Sequence, residues 1–340
     1  MSIKDNNNFF VSIIVPTYNH EKFIGDCIKS VLDQSYNHWE MIVIDDNSKD
    51  KTVEIVQRFI KIDQRIRLIK HQKNYGIYNL ADTYNEALEI SHGELIAILE
   101  GDDLWVNNKL ENQIHFFRNE EIVLSYGNRI LIDEQKNIIG YTNLHLMEKD
   151  KGVLNNDPIG KKYFHYLNCR NHTPSETVVI RKNALKKIGG FQKIENCPTI
   201  DFPTWFALAG MGKFAYTQSY LGYFRRHPHA SSIGKELEFC NAYMALTKKY
   251  FLDFKEIWRS IGISVENILV NQKNICTRRK KLKEIKECFL NGQWIEGRKR
   301  IVKYSAIGHS KDSIILKLIL ILQYILSFFH LNIVQSKINI

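Results

Sequence analysis

The sequence predicts an α/β fold: a mostly parallel sheet flanked by helices. Over the first 130 residues, short apolar runs alternate with amphipathic helical patterns. The runs are apolar throughout, as in Leu95 to Leu99, which suits strands covered on both faces. Three of them end abruptly in polar residues, and the carboxyl edge of such a sheet is where open α/β folds bind ligands.

The elements follow in chain order. Phe10 to Pro16 reads as a strand, Glu21 to Gln34 as an amphipathic helix, Trp39 to Ile44 as a strand and Asp50 to Ile62 as a helix. Arg65 to Lys70 is the third strand, Asn79 to Ser91 a helix, Leu95 to Leu99 the fourth strand, Asn107 to Arg118 a helix and Ile122 to Tyr126 the fifth strand. Residues 128–233 are less regular, with strands expected at Thr177 to Ile180 and Tyr220 to Arg226 and a helix over Pro203 to Ala209. This mixed region is expected to build the pocket of a second substrate. After Gly234 the pattern is helical, which divides the chain into 1–127, 128–233 and 234–340.

The chain carries 47 Lys and Arg against 37 Asp and Glu, a net charge of +10. Residues 278 to 311 hold eleven of those bases and only Glu284, Glu287 and Glu296, so the basicity belongs to the C-terminal region. Next to it, Ile314 to Phe329 is too short and too polar to span a bilayer. An in-plane amphipathic helix docking 278–330 on an anionic membrane surface is one reading, and a helix packed on the protein's own core is the other. Nucleic acid is not the expected partner, because the basic stretch adjoins an apolar helix and lacks interleaved aromatic platforms. The six cysteines show no paired spacing and MSIKDNNNFF no signal-peptide core, so a cytoplasmic protein is expected, peripheral on the inner face of the plasma membrane if the tail docks.

LIAILEGDD, residues 95 to 103, carries the chemistry of the first half. Glu100, Asp102 and Asp103 crowd one strand end, and a cation keeps such acids ionised together. Hard oxygen ligands suit Mg²⁺ or Mn²⁺, most often to hold a diphosphate. The competing reading is an acidic turn capping the next helix. The first strand delivers Pro16, Thr17 and Tyr18 to the same edge, and the second delivers Asp46. Tyr18 offers a ring for a base to stack on, and Asp46 an acceptor for an imide N–H.

VSIIVPTYNHEKFIGDCIKSVLDQSYNHWEMIVIDDNSKDKT followed by HGELIAILEGDDLW resembles the family 2 glycosyltransferases, inverting enzymes of the GT-A (Rossmann-like) fold that use nucleoside diphosphate sugars. The resemblance implies that Pro16, Thr17 and Tyr18 line base and ribose, with Gly101 allowing close approach and Asp46 bonding the base. It implies Asp102 as the direct ligand of a divalent ion. Glu100 stands in the first place of the family's Asp-x-Asp motif, as a ribose or metal contact. A family arginine is missing, since the sequence reads Gly76 to Asp82 where Gly-x-x-x-Ala-Arg-Asn is common; Lys73 or His71 is the candidate replacement cation near the nucleotide.

The resemblance carries into the second half. Gly189, Gly190, Phe191 and then Thr199, Ile200, Asp201 resemble the segment in which an acid opens a helix, and Asp201 is the candidate general base, with helix capping and Glu195 as the alternatives. Phe224 to His227 matches the family's Tyr-Arg-x-His segment, so Arg225, Arg226 and His227 are expected at the diphosphate, and His227 also at the metal. Arg170 to Thr173 lie where acceptor contacts are expected. The expected function is transfer of a sugar, from a UDP donor above all, to a hydroxyl of a glycan or lipid-linked acceptor in surface polysaccharide biosynthesis. The alternative is a nucleotide-sugar-binding module without activity. A nucleotidyltransferase would want a glycine-rich basic loop after the first strand, and PTYNHEKF has none.

Overall fold

The computed structural model describes residues 8–147, 151–162, 173–231, 235–253 and 265–300, the last without 292, 294 and 298. Four strands form the parallel part of one nine-stranded sheet: β1 (Val11–Thr17), β2 (Trp39–Asp45), β3 (Ile66–Lys70) and β4 (Leu95–Ile98). Their order is β3-β2-β1-β4, so the chain steps outward twice and then crosses back to the other side of β1. The connecting helices are α1 (Ile24–Leu32), α2 (Thr52–Ile62) and α3 (Leu80–Ile90). All seven residues of β1 and of β2 are buried, the outcome expected of apolar runs covered on both sides. Helix α1 buries Ile24, Cys27, Ile28 and Val31, a stripe at three- and four-residue spacing, against the sheet.

The expected helix over 107–118 is a short α4 (Lys109–Ile114) that tightens into a 3₁₀ turn, His115–Arg118. It follows β5 (Leu104–Trp105), a two-residue strand that the sequence reading did not separate from the acidic turn. The parallel pattern then gives way. Strand β6 (Ile122–Ile132) is not β4's neighbour; β8 (Val179–Arg181) inserts between them, antiparallel to both. Strand β9 (Lys213–Arg225) runs parallel to β6 and pairs antiparallel with β5 at the sheet's edge, and β7 (Ile138–Thr142) hangs on β6 as a hairpin. Parallel pairing thus holds for β1 to β4, while the second half mixes directions, as its irregular sequence pattern implied. Strand β9 is 13 residues long and starts before Tyr220, because its bulged register with β6 lets polar Thr217, Gln218 and Ser219 stay within it.

Helices α5 (Leu144–Met147), α6 (Lys151–Asn155), α7 (Lys182–Lys187), α8 (Asp201–Ala209) and α9 (Glu236–Asp253) complete a first compact unit, residues 1–268. The residue 127/128 division falls inside β6. A second unit, residues 269–340, contains most of α10 (Val265–Leu290). The expected amphipathic helix at 314–329 lies outside the described residues, as do Arg170, Asn171 and His172. No described helix is long and apolar enough to cross a membrane. The five described cysteines are buried and unpaired with one another.

Close packing at the start of β4 explains the glycine of HGELIAILEGDDLW that precedes the strand. A Cβ on Gly93 would lie 2.4 Å from the Ser12 backbone nitrogen and 2.8 Å from the Phe10 carbonyl, so only glycine lets this turn pass the start of β1.

Candidate active site

The ends of β1, β2 and β4 open on one cleft of about 650 Å³, closed on its far side by 173–175, the start of α8 and the chain after β9. Two left-handed asparagines shape its near wall: Asn19 (φ 53°) and Asn47 (φ 64°) turn the chain sharply after β1 and β2. The loops then lock together, with Lys49 N–H donating to Asn19 Oδ1 at 2.8 Å and Asn19 N–H donating to Ser48 Oγ at 2.8 Å. Asp50 takes the Glu21 N–H and caps α2 through Thr52. This presents Pro16, Thr17, Tyr18 and Asp46 to the cleft, the Tyr18 ring 42% exposed and free to stack.

Asp46 is already well bonded. Its Oδ1 accepts the Tyr75 N–H at 2.8 Å and faces His71 Nδ1 at 2.8 Å, while its Oδ2 accepts the Gly76 N–H at 3.0 Å. Lys73 sits elsewhere: it is exposed and does not line the cleft, because the 74–76 loop turns in toward Asp46 through backbone groups and leaves the lysine in solvent.

At the end of β4, Gly101 packs under Thr17; a Cβ there would meet Thr17 Oγ1 at 2.7 Å and His20 Nδ1 at 2.9 Å. Flat against β1, the turn projects Glu100 and Asp102 into the cleft. Glu100 accepts the Tyr84 hydroxyl at 3.2 Å on Oε1, and its buried Oε2 has no partner. Burial first, then Asp201, Glu176 and Asp102, push the Glu100 carboxyl up to about 8. Asp102 differs. Burial opposes its ionisation, but the hydrogen bond from His227 and the nearby His20 outweigh that and hold it below the usual carboxylate range. His227 Nε2 lies 3.0 Å from Asp102 Oδ2, and its Nδ1 is buried without a partner. Asp103 also lines the cleft; buried, it accepts the Arg225 N–H at 2.7 Å and ties the turn to β9.

The basic residues after β9 are placed differently from the expectation that they meet a diphosphate. Arg225 is 1% exposed, and its guanidinium donates to the carbonyls of Asp102 at 2.8 Å and Glu134 at 3.0 Å, over the Phe23 ring. It buttresses the backbone of Asp102 through Nε, while its Nη2 is buried without a hydrogen-bond partner and the residue lines the cleft. Arg226 does not line the cleft; its backbone continues the ladder to Ile132. His227 reaches the cleft only through Asp102.

Asp201 opens α8 and lines the cleft, as expected of either a base or a cap. At this helix start Thr199 Oγ1 accepts the Asp201 N–H at 3.3 Å, and the Asp201 carboxylate accepts the Thr199 hydroxyl. Burial raises its carboxyl, with Thr199 and Arg129 opposing. Glu195 is exposed and outside the cleft, because the 195–196 turn faces solvent.

Arg129 was missed by the sequence reading. It stands on β6, lines the cleft, lies over the Phe224 ring and approaches buried Glu176 at 3.6 Å. The available signal was weak: a single charged residue inside an apolar strand, NRILI. His20 was missed despite lying in the first motif; it bonds Thr17 Oγ1 and its ring stands 6.4 Å from that of His227. Thr173 to Ser175 also line the far wall. Among the described residues, no three His, Cys, Asp or Glu side chains form a ready metal cage.

A model of glycosyl transferase family 2 matches residues 12–189, more than half of the chain. The chain belongs to glycosyltransferase family 2. Among relatives, WfgD of Escherichia coli, a UDP-Glc:α-D-GlcNAc-diphosphoundecaprenol β-1,3-glucosyltransferase, is 40% identical over 134 residues, 39% of this chain and 51% of that protein. TuaG of Bacillus subtilis, named for teichuronic acid biosynthesis, is 43% identical over 116 residues, 34% of this chain and 45% of that one. The chain spans about half the length of the curated relatives it matches. Solved structures of GT-A glycosyltransferases share the fold. Mannosyltransferase PcManGT from Pyrobaculum calidifontis, in complex with GDP-Man and Mn²⁺, superposes with a TM-score of 0.57 at 15% identity, covering 94% of this chain and 84% of that one. Staphylococcus aureus TarS 1–349 with UDP-GlcNAc gives 0.54 at 18% identity, covering 77% and 79%. The α/β sheet of this family 2 chain is therefore the GT-A fold that the motifs implied.

Proposed function

We propose that this chain is an inverting glycosyltransferase that moves a sugar from a UDP donor to a hydroxyl of a glycan or lipid-linked acceptor in surface polysaccharide biosynthesis. The observation that carries the proposal is one cleft lined together by Tyr18, Asp46, Asp102 and Asp201. The lipid-linked acceptor is suggested by the name of WfgD, and the UDP donor by that name and by the TarS complex.

In this reading Tyr18 stacks on the base and Asp46 accepts its N–H. Asp201 takes the proton of the acceptor hydroxyl as that oxygen attacks the anomeric carbon from the face opposite the leaving diphosphate. Ionised Asp102 fits a divalent cation, Mn²⁺ or Mg²⁺, with Glu100 Oε2 and His227 Nδ1 as unpartnered buried atoms nearby. Such an ion offsets the charge that builds on the departing nucleoside diphosphate. Arg129 and Arg225 both line the cleft, and Arg129 joins Arg225 as a candidate counter-charge there.

A panel of UDP, GDP and CDP sugars, each with Mn²⁺ or Mg²⁺, tests the donor class through thermal stabilisation. A UDP sugar with metal is expected to raise Tm more than any other pair, since a bound ligand stabilises by mass action. No rise with any metal and nucleotide sugar would overturn the proposal.

We also propose that the basic region within 278–330 docks the enzyme peripherally on the inner, anionic face of the plasma membrane. The full chain is expected to float with vesicles containing anionic phosphatidylglycerol at low salt and not with neutral phosphatidylcholine vesicles. Equal recovery with both would remove charge from the account.

A further inference from the structure

Asp46 is gripped by two side chains that no motif contains. His71 follows β3 directly and is buried. Its Nδ1 lies 2.8 Å from Asp46 Oδ1, and its Nε2 lies 3.0 Å from Glu86 Oε2 on α3. The Tyr75 ring stacks on the imidazole at 4.0 Å and 22°. Tyr75 and Gly76 also donate their backbone N–H groups to Asp46, and Asn74 Nδ2 donates to its carbonyl at 3.0 Å.

A carboxylate oxygen can only accept a hydrogen bond, and a neutral imidazole carries one N–H. The His71 ring faces a carboxylate on each side, and Asp46 on the sheet edge and Glu86 on α3 are the charged groups in contact with it. Two donors occupy Asp46 Oδ1, whereas Oδ2 takes only the Gly76 N–H and keeps a lone pair, on a residue that lines the cleft.

We infer that His71 is a positioning residue: held between Asp46 and Glu86 and stacked on Tyr75, it fixes the Asp46 carboxylate as an acceptor and so selects donors whose base presents an N–H. Uracil, thymine and guanine offer such a group. Cytosine and adenine present a ring nitrogen lone pair at the same edge, which a fixed carboxylate repels. His71 thereby acts beside the nucleotide in a chain whose Gly76 to Asp82 stretch lacks the arginine the family often carries there. The inference rests on the reading that Asp46 meets the base.

Calorimetry on the full chain tests it. With Mn²⁺, the wild type is expected to bind UDP more tightly than CDP. His71→Leu should weaken UDP by about tenfold, the cost of a lost hydrogen bond to a carboxylate, and narrow the ratio of UDP to CDP affinity. His71→Gln, which keeps one donor, should recover part of the loss. Glu86→Leu, on a half-exposed side chain, should act in the same direction if His71→Leu fails to fold. An unchanged UDP to CDP ratio in folded His71→Leu and Glu86→Leu overturns the role of His71. Absence of UDP binding by the wild type would instead overturn the donor assignment.

Discussion

Asp201→Asn is expected to abolish sugar transfer, by about a thousandfold or more, while leaving metal-dependent donor binding within about twofold of wild type. The substitution keeps the shape of the side chain and an oxygen that can accept the Thr199 hydroxyl. It removes only the capacity to take a proton. Calorimetry with UDP gives the binding half of the prediction, and a transfer assay with an undecaprenyl-diphosphate-linked sugar acceptor gives the other. Wild-type rates from the variant would reject Asp201 as base. A wild type that binds donor without turnover on any acceptor would favour the binding-module alternative.

The electrostatics add a second, independent sign. Burial raises the Asp201 carboxyl above its ordinary value, so the folded state binds its proton more tightly than the unfolded chain does. The stability this group contributes is present in acid and is lost as pH rises through the raised value, which leaves an ionised Asp201 costly at neutral pH. Asp201→Asn removes that cost, and its Tm at neutral pH should equal or exceed that of wild type. Transfer should follow the opposite course: kcat/KM rises with pH as Asp201 loses its proton, with the acid limb displaced above the usual carboxylate range. A Tm several degrees lower in the variant would mark the residue as structural.

What the sequence revealed and what it hid follow from range along the chain. Strands β1 to β4 were legible because each is a local apolar run with a polar end, and parallel neighbours buried on both faces leave little else for such a run to be. Asp46, Asp102 and Asp201 were legible because they stand at element ends, where turn chemistry marks them. The position of β8 between β4 and β6 was not, since three-residue pairings such as Leu95 with Arg181 join segments far apart in sequence. The backbone bonds of Arg225 were hidden for a related reason. Its partners, the carbonyls of Asp102 and Glu134, are backbone atoms that leave no trace in residue identity. Arg129 and Glu176 hid within apolar or irregular stretches and meet only when β6 and the 3₁₀ turn at Ser175–Thr177 fold together. Lys73 looked useful by proximity in sequence, and the turn through Asn74 to Gly76 left it in solvent.

Asp102→Asn is expected to reduce metal-dependent UDP affinity by about a hundredfold, with donor binding no longer responsive to Mn²⁺. Asp102 is the cleft carboxylate whose ionised form the fold favours, through the His227 hydrogen bond, and Arg225 fixes its backbone from behind. Asparagine offers a neutral oxygen in the same place, so loss of affinity reports on charge and not on shape. The stability sign is opposite to that of Asp201. A carboxyl held low stabilises the fold above its unfolded value and loses that contribution as pH falls through the folded one. At neutral pH that contribution is intact, so Asp102→Asn should lower Tm by a few degrees and should flatten the acid side of the stability profile. Titration with Mn²⁺ followed by UDP separates the two effects, because a merely destabilised protein would still bind nucleotide more tightly with metal than without. If Mn²⁺ sharpens UDP binding equally in wild type and Asp102→Asn, the cation is held elsewhere in the cleft, and Glu100 and Asp201 become the next carboxylates to test.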